Sequence, residues 1–209
     1  MKYSNNERHP LHIIEPFEDF KDIIARQVAK HPDAIAYRYT EGGKDRTKTF
    51  KEFQEEVNAL GTGLTSLGIH NTHIAMVGEN CYDWIVSYLT VLGSDNVYVP
   101  VDKELPFGEI MNVIDHSDSE VVFTTAAFEE EFRRNAENMS RIKYFIIYNP
   151  AQACEGRFLS ARELMDEGRT RIAAGDRSYL DQKPEDMELG EIVYTSGTTG
   201  KAKGVMLSR

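Results

Sequence analysis

The sequence predicts an α/β fold: a doubly wound, mostly parallel sheet with flanking helices, joined to an N-terminal β-hairpin. Three observations predict it. Short, near-continuous apolar runs recur at His73–Val77, Val97–Val101, Glu120–Thr124 and Tyr144–Tyr148. Stretches of helical length separate them, near Tyr82–Leu92, Pro106–Asp115 and Ala126–Asn138. Strands that alternate with such helices pair in parallel through crossover connections. Strands apolar on both faces suit a sheet covered by helices on two sides.

The flanking elements follow in order. Phe17 to Lys30 sets Phe17, Phe20, Ile23, Ile24 and Val28 on one helical face, and His31-Pro32 stops that helix. Ala34 to Tyr39 alternates like a strand, Glu41-Gly42-Gly43-Lys44 turns, and Arg46 to Thr49 returns as a hairpin. Thr49-x-x-Glu52 is a capping box opening a helix with Phe53, Val57, Leu60, Leu64 and Leu67 inward and Gly68 as its stop. Trp84, Tyr88 and Leu92, at helical spacing, form a core face. Ser160 to Ala174 reads as a further helix. Residues 175–189 are polar and irregular, and read as the connection into the next strand and a seam between subdomains. Residues 1–14 are expected to be a flexible tail. No internal repeat is visible.

A length of 209 residues suits one large domain or two small ones. A net charge of −10 argues against nucleic acid and anionic membrane as partners. Runs such as Glu129-Glu130-Glu131 are expected to be solvated faces. Cys81 and Cys154 are too few for a disulfide framework or a zinc site. Cys81 at a helix start could have a lowered pKa; a small side chain near the surface is the simpler reading. The histidines at 9, 12, 31, 70, 73 and 116 show no metal-ligand spacing. Glu79-Asn80 follows a strand, where such folds gather ligands, although Asn80 equally suits a helix cap. The first ten residues are polar, so no signal peptide, lipidation signal or transmembrane span is expected, and cytoplasm is the expected compartment.

The chemistry concentrates in the last sixteen residues. Glu191 to Thr195 reads as a strand, and Val205-Met206-Leu207 resumes one. Between them Ser196, Gly197, Thr198, Thr199, Gly200, Lys201, Ala202, Lys203 and Gly204 form a loop almost without bulky side chains. Three glycines let backbone N–H groups face a ligand. Hydroxyls add short donors and two lysines add charge, a set that suits a polyphosphate. The candidate phosphate-binding residues are Thr195, Ser196, Gly197, Thr198, Thr199, Gly200, Lys201 and Lys203. This is not a Walker A loop. Counting back from Gly200-Lys201 puts Thr195 where that motif needs glycine, and Ala202 stands where it needs Ser or Thr. A flexible linker would not be bracketed by apolar strands.

Tyr194 to Ser208 resembles the signature loop of the adenylate-forming superfamily, which includes acyl-CoA synthetases, peptide-synthetase adenylation domains and luciferases. A second stretch narrows the resemblance. Ile74-Ala75-Met76-Val77-Gly78-Glu79-Asn80, then Trp84-Ile85-Val86 with Tyr88-Leu89, and Val99-Pro100-Val101-Asp102-Lys103-Glu104-Leu105-Pro106, are similar to the bacterial long-chain fatty acyl-CoA synthetases. The resemblance runs from about Phe17 onward. It departs at Ala202, where the family often has proline, and at Arg209, where it often has histidine near the acyl pocket.

The resemblance implies an incomplete part of the large N-terminal domain of such an enzyme. It implies ATP, Mg²⁺ and coenzyme A as cofactor and co-substrates, and a fatty or other carboxylic acid as substrate. Thr198 or Thr199 would face Mg²⁺, which takes oxygen ligands. The adenine and ribose contacts, most of the acyl tunnel and a catalytic lysine would come later in the chain. No catalytic residue is therefore expected within residues 1–209, and the chain by itself is expected to be inactive. An amino-acid adenylation domain and a stand-alone nucleotide-binding or interaction module are the other readings.

Overall fold

The computed structural model describes residues 16–185, 188–195 and 203–209. Residues 1–14, expected as a tail, lie outside that set. The described chain forms a two-stranded hairpin and a seven-stranded sheet with helices on both faces. Among the described residues no helix is long and apolar enough to cross a membrane.

Helix α1 spans Phe20–Lys30 and starts three residues later than its apolar pattern suggests. Asp19 sets the start: its side chain accepts the Asp22 N–H at 2.7 Å, satisfying a donor that the first turn leaves open. Phe17 is left outside the helix and exposed. Strands β1 (Ile35–Glu41) and β2 (Lys44–Thr49) pair antiparallel. Gly42 and Gly43 both have positive φ, the geometry a two-residue hairpin needs to match strand twist. Helix α2 (Phe50–Ser66) opens on the expected capping box. Thr49 Oγ1 accepts the Glu52 N–H at 3.2 Å, and Glu52 accepts the Thr49 N–H at 2.8 Å.

The main sheet contains β3 (His73–Val77), β4 (Val97–Val101), β5 (Ser119–Thr125), β6 (Tyr144–Tyr148), β7 (Phe158–Ser160), β8 (Leu189–Thr195) and β9 (Lys203–Ser208). Its order is β7-β6-β5-β3-β4-β8-β9, parallel except for the last pair. Helices α3 (Tyr82–Leu92), α4 (Phe107–His116), α5 (Ala126–Asn135) and α6 (Ala161–Ala173) connect the strands. The helix expected over Ala126–Asn138 ends at Asn135 and finishes as a 3-10 turn, Ala136–Asn138. Cys81, not Asn80, occupies the cap position of α3, with no side-chain capping bond. Burial pushes the Cys81 thiol above its ordinary pKa, not below it.

Alternation along each strand divides the core. Ile74 and Met76 of β3 face α1, α2, α3 and α6 together with Tyr98, Phe123 and Ile146. Ala75 and Val77 face α4 and α5 together with Val99, Val122 and Phe145. Trp84 and Tyr88 meet the buried Tyr98 ring edge-on, with centroids 6.3 and 4.9 Å away. This is the core face predicted for α3.

The polar connection after α6 carries a buried anchor. Tyr179 is fully buried, with its ring where a Cβ on Gly61 would stand, 2.4 Å from ring carbons. Its hydroxyl donates to the Thr90 carbonyl at 3.0 Å. Lys21 Nζ donates to the carbonyls of Tyr179 at 3.0 Å, Leu180 at 3.4 Å, and Gln182. Burial holds that ammonium below its ordinary pKa.

Candidate functional site

Strand β8 carries the chain from the buried Ile192 out to the exposed Thr195. Strand β9 returns antiparallel. The pairing is Thr195 with Lys203, Tyr194 with Gly204, Val193 with Val205 and Ile192 with Met206. Two of the predicted phosphate-binding residues, Thr195 and Lys203, are thus brought opposite one another at the open end of a hairpin. The other six, Ser196, Gly197, Thr198, Thr199, Gly200 and Lys201, lie outside the described residues, as does Ala202.

The hairpin opens on the side of the sheet where ligands gather in this architecture. Strand β8 runs parallel to β4, so Thr195 ends β8 toward the carboxyl ends of the parallel strands. The chain runs from β3 to β4 on one side, then returns to β5 on the other side of β3. That reversal makes the crevice between the ends of β3 and β5 a topological switch point. There Thr125 Oγ1 donates to Glu79 Oε2 at 2.6 Å. A Cβ on Gly78 would stand 2.6 Å from Thr125 Cγ2, so the close approach depends on glycine. A cavity of about 270 Å³ lies beside it, with Glu79, Cys81, Asp83, Thr125 and Asn149 in its lining. Asp83 has its pKa pushed up to about 6 by burial, with Glu41 and Glu56 adding repulsion.

The stem of the hairpin has a contact that sequence reading missed. His116, at the end of α4, shares a 2.7 Å hydrogen bond between Nδ1 and the Tyr194 hydroxyl. The rings meet edge to face, 5.7 Å between centroids. Burial, with a smaller contribution from Asp118, raises the Tyr194 phenol above its ordinary pKa, so it stays a neutral hydroxyl. The two residues are 78 positions apart, and nothing local in the sequence marks the pair.

Arg209 lies at the other end of β8. Its guanidinium donates to the Asn96 carbonyl at 2.7 Å and sits 3.5 Å from Glu188. Gly190 makes room for it, since a Cβ there would stand 2.8 Å from Arg209 Cγ. Burial lowers its pKa.

A family model described as AMP-binding enzyme matches residues 24–209, which includes the whole β8–β9 hairpin. The chain belongs to the AMP-binding enzyme family. Relatives fall on two sides of that family. Surfactin synthase subunit 1 of Bacillus subtilis (strain 168) is 31% identical over 193 residues, covering 90% of this chain and 5% of that protein. Long chain acyl-CoA synthetase 1 of Arabidopsis thaliana is 25% identical over 206 residues, covering 90% of this chain and 30% of that protein. Among solved structures, the anthranilate CoA ligase AuaEII in complex with anthranoyl-AMP superposes with a TM-score of 0.76 at 16% identity, over 93% of this chain and 35% of that one. A putative long-chain-fatty-acid CoA ligase from Rhodopseudomonas palustris gives 0.68 at 19% identity, over 91% and 44%. At those identities the structures show the fold: the mostly parallel sheet is that of AMP-binding enzymes. The chain spans about a third of the acyl-CoA synthetase relative and a smaller share of the peptide synthases.

Proposed function

We propose that this chain is the N-terminal portion of the adenylation domain of an ATP-dependent acyl-CoA synthetase acting on a fatty acid. The observation that carries the reading is the β8–β9 hairpin, which sets Thr195 opposite Lys203 at the two ends of a Gly/Ser/Thr/Lys segment. A carboxylate oxygen of the acid attacks the α-phosphorus of ATP. The bond to the β-phosphate oxygen breaks, and acyl-adenylate and pyrophosphate form. The thiol of coenzyme A then attacks the acyl carbon, AMP leaves, and the thiol proton passes to solvent. The task of the loop in the first step is to orient and neutralise the leaving phosphates.

Lys201 and the loop N–H groups are assigned to the β- and γ-phosphates. Thr195, Ser196, Thr198 and Thr199 add hydroxyls, and Lys203 adds longer-range charge. Among the described residues no group of three or more His, Cys, Asp or Glu could hold a metal. Mg²⁺ would be held in part by the substrate's phosphates, with Thr198 or Thr199 facing it.

The test is Lys201→Ala in the full-length protein. A charge-assisted hydrogen bond of about 1.5–3 kcal/mol corresponds to roughly one to two decades in rate. Adenylate formation should slow by that factor, whereas thioester formation from supplied acyl-adenylate should not, since pyrophosphate has already left. Lys203→Ala should cost less. Equal losses in both steps would make Lys201 a structural residue.

A second reading, amino-acid adenylation, is favoured by the 31% identity to a surfactin synthase subunit. ATP–pyrophosphate exchange across a panel of fatty acids and amino acids separates the two. Exchange with amino acids alone would replace the fatty-acid reading.

A further inference from the structure

Strand β8 runs past its register position with β4 before it reaches the phosphate segment. Its pairing with β4 is a single register position, Tyr98 with Glu191, four residues before Thr195. Beyond that point Tyr194 takes over. On one side its hydroxyl meets His116 Nδ1 at 2.7 Å, tying β8 to α4. On the other its ring lies over Gly204 of β9, where a Cβ would come within 3.3 Å of Tyr194 Cζ. Tyr194 is bonded to Thr195, and Gly204 is bonded to Lys203. One side chain thus lies beside the residues next to Thr195 and Lys203, and His116 is hydrogen-bonded to that side chain.

We propose that His116 and Tyr194 form a positioning pair that holds Thr195 and Lys203 for ATP. The assignment rests on the phosphate-binding reading of that segment. Neither residue touches the reacting atoms. Their effect should appear in ATP use and not in later chemistry.

The experiment compares His116→Ala, His116→Gln, Tyr194→Phe and the His116→Ala/Tyr194→Phe double variant in the full-length protein. The readouts are KM for ATP in ATP–pyrophosphate exchange, thioester formation from supplied acyl-adenylate, and Tm. Loss of one hydrogen bond should raise KM for ATP by roughly 2- to 10-fold. The double variant should be no worse than the worse single one, because both remove the same contact. His116→Gln, which keeps a side chain able to bond the hydroxyl, should recover part of the loss. Thioester formation should stay at the wild-type value, and Tm should fall by no more than the few degrees that one hydrogen bond accounts for. An unchanged KM for ATP in His116→Ala, multiplied losses in the double variant, or an equal fall in the thioester step would each overturn the proposal. Failure of the underlying reading looks different: Lys201→Ala would then leave adenylate formation untouched, or the wild-type protein would show no exchange with any acid. Either result removes the role of the pair as well.

Discussion

Gly168 of α6 packs its backbone directly on the carbonyl of Ala59 in α2: a Cβ at 168 would stand 1.9 Å from that oxygen. Gly63 makes the same kind of approach from α2: a Cβ there would stand 2.5 Å from the Leu164 carbonyl oxygen. The two helices cross backbone to backbone, so neither can retreat without lifting off the core.

Gly168→Ala should therefore destabilise the protein. Alanine gains about 1 kcal/mol of helix propensity over glycine. Overpacking typically costs about 1–3 kcal/mol, and here the obstacle is backbone, which cannot rotate away. A net loss is expected, read as a fall in Tm of roughly 2–4 °C per kcal/mol for a chain of this size. Gly108→Ala is the control: it is also helical, but no atom lies within 4 Å of its Cβ position. It should be neutral or stabilising. A Gly168→Ala protein as stable as the Gly108→Ala one would contradict the packing described.

The segment after α6 should be held by Lys21 and Tyr179. Tyr179→Phe removes the donor to the Thr90 carbonyl in a dry site, a loss of about 1–3 kcal/mol. Lys21→Met leaves three carbonyls without their shared donor. Trypsin cleavage at the exposed Arg177 should accelerate in Lys21→Met. Cleavage at the wild-type rate would show that the segment holds without the lysine.

Asp83 makes stability depend on pH. Its pKa rises from an ordinary 3.8 to about 6 in the folded protein; burial is the main cause, Glu41 and Glu56 add to it, and Arg162 and Lys48 oppose it. The folded state thus binds the proton more tightly than the unfolded chain. Below about pH 4 both states are protonated and the burial cost is absent. Between about pH 4 and 6 the unfolded chain ionises first and stability falls. Above pH 6 the full cost remains, on the order of 3 kcal/mol. Asp83→Asn should stabilise the protein at pH 7.5 and make little difference at pH 4. A gain of equal size at both values would point to packing, not charge.

Much of this architecture can be read locally. The four central strands, the Gly42-Gly43 turn and the Thr49/Glu52 capping box each depend on residues within a few positions of one another. Strand β7 escaped because three residues, Phe158–Ser160, carry too little pattern to distinguish a strand from a loop. Tyr179 escaped because its environment is assembled from Lys21, Gly61, Thr90 and Gly93, all distant in sequence, while its own neighbours are polar. At the candidate site the bracketing strands were legible, but their antiparallel pairing was not: Lys203 and Gly204, read as loop, belong to β9, which sets Lys203 opposite Thr195. His116 was not legible, since its partner Tyr194 lies 78 positions further along the chain. Asn80 was misread because a good capping residue stands one position too early.

The outer strand has a further consequence for the 209-residue chain handled by itself. Among the described residues nothing pairs with the far side of β9, and Val205, Met206 and Leu207 are all exposed, Met206 at 71%. A bare strand border with oily side chains is adhesive toward any other extended chain. Self-association through that border is expected of this chain in spite of its ten excess negative charges.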